Sequence, residues 1–112
     1  MTMRARRRPV PPGVPAEPVV IERLKDARFA AAYVEAVIGD GDQAELLLAL
    51  RRVTQAHGGV AAIARKCKLS REAMYRMLSE NGNPELRSLS RILAAAGLRL
   101  SVRPIARSSR QS

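Results

Sequence analysis

The sequence predicts an all-α fold of five helices with a short C-terminal β-strand. Three observations carry that prediction. From about residue 26 to residue 96, apolar side chains recur at three- and four-residue spacing, the period of an amphipathic helix. The stretches of that periodicity open on Asp or Ser or close on Gly, the residues that cap helix ends. Only Leu98-Arg-Leu-Ser-Val-Arg103 alternates apolar with polar residues, which is the period of a strand.

Residues 1–21 combine the run RARRR with Pro9, Pro11, Pro12, Pro15 and Pro18, and are expected to form a basic arm without regular structure. Asp26 is placed to cap the first helix, whose apolar stripe is Phe29, Tyr33 and Val37, and the run GDGD at 39–42 ends it. Asp42 caps the second. Its stripe is Leu46, Leu50, Val53 and Ala56 or His57, widened by Leu47 and Leu48, and Gly58-Gly59 stops it. A short third helix spans residues 60–67 with Val60, Ile63, Ala64 and Cys67 inward. Ser70 caps a fourth over residues 71–79, burying Ala73, Met74, Met77 and Leu78.

Asn81-Gly-Asn-Pro84 breaks the chain again. Asn-Gly signals a hairpin only between alternating segments, and both flanks here have helical period. The fifth helix, residues 86–96, carries Leu86, Leu89, Ile92 or Leu93, and Ala96 on one face, with Gly97 as its C′ residue. The strand follows, Pro104 ends it, and residues 104–112 form a basic tail. The folded domain is thus expected over residues 22–103.

Composition narrows the function classes. A chain of 112 residues has room for one small domain. Cys67 and His57 are the sole residues of their kinds, so no disulfide framework and no ligand-spaced metal cluster is expected, and no cofactor motif is present. Prolines stand where a signal peptide needs an apolar helix, and no apolar run approaches about 20 residues. The expectation is a cytoplasmic protein with no membrane contact.

The net charge of +10 is unevenly spread. Residues 17–45 hold three basic and seven acidic groups, whereas residues 46–112 hold thirteen basic and three acidic ones. An excess confined to one half is the footprint of a polyanion binder, although a solvated face has the same composition. Aromatic residues number three, Phe29, Tyr33 and Tyr75. That is too few for the stacking surfaces that hold single strands, so double-stranded DNA is the expected nucleic acid.

The informative segment is Val60-Ala-Ala-Ile-Ala-Arg-Lys-Cys-Lys-Leu-Ser-Arg-Glu-Ala-Met-Tyr-Arg-Met-Leu78. It reads as two short helices joined by a tight turn at 68–70, with small Ala64 where the backbones approach. Such a helix-turn-helix presents its second helix to a major groove about 12 Å wide. Once the apolar positions face inward, Ser70, Arg71, Glu72, Tyr75 and Arg76 remain outside. Arg bonds bidentately to guanine, Glu accepts from cytosine, and Tyr reaches a phosphate or a thymine methyl.

From Leu24 to Val102 the chain closely resembles the HigA-like addiction-module antidote proteins, small members of the Xre-type helix-turn-helix superfamily with a lambda-repressor-like domain. The marks are LSRE with Tyr75 at 69–75, GNP at 82–84 and GLRLSV at 97–102, and the likeness covers residues 22–103. It implies an antitoxin that neutralises a RelE/HigB-like mRNA endonuclease toxin and represses its own operon as a DNA-binding homodimer. It places base contact at Arg71, Glu72, Tyr75 and Arg76, and phosphate contact at Ser70, Asn81 and Asn83. Lys68 stands where the family usually has Gly.

Two further surfaces follow from the residues. The strand's apolar face, Leu98, Leu100 and Val102, is the expected dimer interface, because a lone strand leaves backbone groups unpaired. The acidic region, represented by Glu35, Asp40 and Glu45, suits a basic toxin better than DNA. His57 reads as a helix C-terminal residue and Cys67 as a buried small hydrophobe, not as base and nucleophile. No catalytic constellation is defensible, so an enzyme is not expected. The alternative to an antitoxin is a free-standing Xre-type repressor, which the same motif serves equally.

Overall fold

The computed structural model describes residues 16–106, and these form six helices: α1 (Glu17–Arg23), α2 (Ala27–Asp40), α3 (Gln43–Ala56), α4 (Gly59–Cys67), α5 (Arg71–Met77) and α6 (Leu86–Ala95). The expected arm over 1–21 lies outside the described residues up to position 15, but its last part is helical. Pro18 does not prevent this. It occupies the first turn of α1, where a backbone N–H has no intrahelical partner to lose, with Glu17 at the positive end of the helix and Arg23 at the negative end.

Side-chain caps fix where the next elements begin. The Asp26 carboxylate accepts from the N–H of Arg28 at 2.9 Å, that of Asp42 from Glu45 at 3.2 Å, and the Ser70 hydroxyl from Ala73 at 3.0 Å. Each satisfies a backbone donor that the first turn leaves free. At the other end of α6, Gly97 takes φ +82° and the N–H groups of Gly97 and Leu98 bond to the carbonyls of Ala94 and Leu93. Lys68 closes α4 by the same two-bond pattern, to Arg65 and Ala64, at φ +59°. A side chain in that left-handed region costs roughly 1 kcal/mol.

The core is built around α3, which packs on α1, α2 and α4, and around α4, which packs on α3, α5 and α6. Leu24, Leu50, Val53, Ile63, Met74 and Ile92 meet at its centre, each essentially inaccessible to solvent. Leu86, expected on the apolar face of the last helix, is exposed, because α6 buries its C-terminal half through Ile92, Leu93 and Ala96.

The expected C-terminal β-strand does not form. Residues 98–106 have no secondary structure, and no strand occurs among the described residues. The alternation of Leu98 and Leu100 is satisfied in another way: both side chains pack against the helical core. A ladder needs a second extended segment beside the first, and among the described residues the chain offers none.

Candidate functional site

α4 and α5 form the two arms of the helix-turn-helix, joined through Lys68, Leu69 and Ser70. Ile63, Ala64 and Cys67 of α4 and Met74 of α5 turn inward, and Leu78 just beyond α5 does the same. This leaves Ser70, Arg71, Glu72, Tyr75 and Arg76 exposed on the outer side of α5. Arg71 and Tyr75 are four residues apart, as are Glu72 and Arg76, so they make two adjacent rows on one face. None of the three charged members is ion-paired among the described residues. Their hydrogen-bonding capacity is free for a ligand.

Asn81 and Asn83, both exposed, lie in the loop after α5. That loop is tied down from a distance. The Gln43 amide donates to the carbonyl of Gly82 at 3.0 Å, the Arg51 guanidinium donates to the carbonyl of Leu78, and the N–H of Gly82 bonds to Ser79 at 2.9 Å. Gly82 is buried against the end of α5 so closely that a Cβ there would run into the carbonyl oxygen of Met77. Gln43 and Arg51 thus hold the loop that carries the two asparagines. Sequence reading missed them, since neither departs from an ordinary helix surface and their partners are 39 and 27 residues away.

Basic side chains also gather beside the turn. Lys66, Lys68 and Arg91 border a shallow hollow of about 430 Å³ next to Cys67, and none of them is ion-paired among the described residues. Burial pushes the Cys67 thiol above its ordinary pKa, against a smaller opposing pull from Arg91. His57 is held structurally, its Nε2 donating to the carbonyl of Leu24 at 3.1 Å. No group of three His, Cys, Asp or Glu side chains is placed to hold a metal among the described residues.

A second tie anchors the opposite end of the domain. Arg52 of α3 donates to Glu17 of α1 and to the Tyr33 hydroxyl of α2, both at 2.9 Å. Burial lowers the guanidinium's pKa, but these two partners outweigh it and leave the pKa raised. Phe29 stacks on Tyr33, and the Arg23 guanidinium lies over the Phe29 ring, 6.0 Å from its centre.

The family model described as probable addiction module antidote protein matches residues 19–104. The chain belongs to that family. An addiction module pairs an antidote with a toxin, so membership implies a toxin as partner. No curated protein and no solved structure matches the chain. No described helix of this antidote is long and apolar enough to cross a membrane.

The three acidic residues singled out in the sequence do not share one environment in the antidote. Glu35 is ion-paired with Arg103 of the segment after α6. Asp40 ends α2 and Glu45 lies in the first turn of α3; both are exposed and have no ion pair among the described residues. Leu98 and Leu100 are half-buried on the antidote's own core, whereas Val102 is almost wholly exposed.

Proposed function

We propose that the chain is a HigA-like antitoxin of the Xre-type superfamily, which binds and neutralises a RelE/HigB-like mRNA endonuclease in the cytoplasm and represses its own operon as a homodimer. The observation that carries this reading is the match of residues 19–104 to the antidote family. The exposed, unpaired face of α5 supports its DNA-binding half.

In this mechanism α5 lies in the major groove of double-stranded operator DNA. Arg71 and Arg76 donate to guanine edges, Glu72 accepts from cytosine, and Tyr75 contacts a phosphate or thymine methyl. Ser70, Asn81 and Asn83 fix the register through phosphates, which is why the ties from Gln43 and Arg51 matter. Two copies are required because one such helix covers only a few base pairs. The toxin meets the opposite charge at Asp40 and Glu45, with Glu35 available only where Arg103 releases it.

Co-expression with the product of the neighbouring reading frame, scored by growth and by pull-down, tests the proposal. Rescue by the wild-type chain and by Arg71→Ala/Arg76→Ala, with loss of capture when Asp40 and Glu45 are reversed to Lys, is the expected result. A neighbour that is not toxic, or whose binding needs α5 intact, leaves the free-standing repressor as the better account.

A further inference from the structure

A groove of about 510 Å³ runs between α2 and the segment that follows α6. Ala31, Val34 and Ile38 give it an apolar floor, and the Glu35–Arg103 ion pair stands at its rim. The segment forming its other wall carries an apolar face that outlasts the domain beneath it. Leu98 and Leu100 are packed on the core, but Val102, next in the same alternation, is 96% exposed, and Ile105 is 82% exposed. Two large aliphatic side chains so close together and so fully in water are an uncovered contact.

No described residue covers them. A segment that is itself the wall of a groove cannot also turn its outward side chains onto the floor.

We propose that a second copy of the chain covers them: in a two-fold dimer, Val102 and Ile105 of each protomer enter the α2 groove of the other. The inference rests on the homodimer proposed above and gives it a specific contact. The insert is Val102-Arg103-Pro104-Ile105, aliphatic at both ends with a cation between; the groove is aliphatic with a carboxylate at its rim. Arg103 exchanges its own Glu35 for the partner's Glu35, so no ion pair is lost. Insert and groove occur once each on every copy, which is what closed two-fold pairing requires. A basic toxin fits the groove less well, because Arg28 and Arg99 also line it and repel further positive charge. Glu35 therefore belongs to the dimer contact, leaving Asp40 and Glu45 to the toxin.

The test uses the full chain in analytical ultracentrifugation at tens of micromolar, with circular dichroism as a check on folding. Val102→Asp/Ile105→Asp is expected to weaken dimerisation by roughly 100-fold or more with its helices kept, since aliphatic anchors in a pocket dominate such contacts. Leu86→Asp, exposed elsewhere, leaves the dimer intact. Independently of those variants, Ala31→Cys chains mixed with Val102→Cys chains form a disulfide-linked heterodimer on mild oxidation, the buried Cys67 taking no part. A wild-type dimer that yields no cross-link and tolerates both Asp substitutions overturns the hook-in-groove contact but keeps the homodimer. A wild-type monomer overturns both.

Discussion

The Arg51 guanidinium, on α3, donates a hydrogen bond to the carbonyl of Leu78, the residue that caps the C-terminal end of α5. A side chain of the central helix thereby satisfies a backbone acceptor at the foot of the helix-turn-helix, where a helix end has no partner of its own. Arg51→Ala removes a charge-assisted bond in a half-buried place and leaves the carbonyl to find water. The expected loss is about 1.5–3 kcal/mol, read as a lower urea midpoint with unchanged slope.

Gly82→Ala is expected to be the more damaging change in the same region. The added methyl meets backbone, the Met77 carbonyl, which cannot swing aside as a side-chain tip would. Either α5 or the loop must move, at a cost of roughly 2–4 kcal/mol in a thermal or urea melt. The displaced loop carries Asn81 and Asn83, so on the proposed function operator affinity is expected to fall even below the melting temperature.

Lys68→Gly should stabilise the domain. The backbone at this position is left-handed, and glycine adopts it without the steric penalty on a β-carbon. The expected gain is about 0.5–1 kcal/mol, smaller than the strain relieved because glycine also loosens the unfolded chain. An unchanged or lower stability means that the Lys68 side chain contributes more than its backbone costs.

The proposed DNA recognition divides into two measurable parts. Arg71→Ala and Arg76→Ala are each expected to weaken operator binding by about 1–3 kcal/mol while leaving random duplex nearly unaffected. Asn81→Ala and Asn83→Ala should weaken both duplexes alike. Gel-shift titrations at two salt concentrations separate these behaviours, and equal losses on both duplexes reduce the two arginines to backbone contacts.

Cys67 is expected to resist alkylation in the native state. A thiol whose pKa is raised by burial stays protonated at neutral pH, and the thiolate is the reactive form. Iodoacetamide labelling should be slow from pH 7 to pH 8 and become rapid once urea unfolds the chain. Fast native labelling at pH 7 contradicts both the burial and the direction of the shift.

Local chemistry was legible in the sequence, and long-range chemistry was not. Asp26, Asp42 and Ser70 cap where a short acceptor precedes an apolar period, and Gly97 ends α6 as a residue free of β-carbon strain; such rules act over three or four residues. α1 was hidden because Pro18 reads as a breaker unless it is known to stand in a first turn. The strand was read from an alternation that packing can satisfy as well as pairing, and Leu98 and Leu100 are packed. Leu86 has the right phase for burial, but phase does not say how far along a helix its neighbours extend. The exposed face of α5 followed directly from subtracting the apolar positions, while Gln43 and Arg51 act across distances no local pattern spans.

The packing of α3 has a kinetic consequence. Its neighbours α2 and α4 are its neighbours in sequence and α1 is one element further off, while α4 in turn meets α5 directly after it and α6 one element further on. Each docking step joins elements at most two apart in the chain, and helical domains dominated by such local contacts fold in roughly microseconds to milliseconds. No disulfide can form within the chain, because Cys67 is its one cysteine. Folding of the domain is therefore not expected to limit how soon a newly made chain reaches the antidote fold.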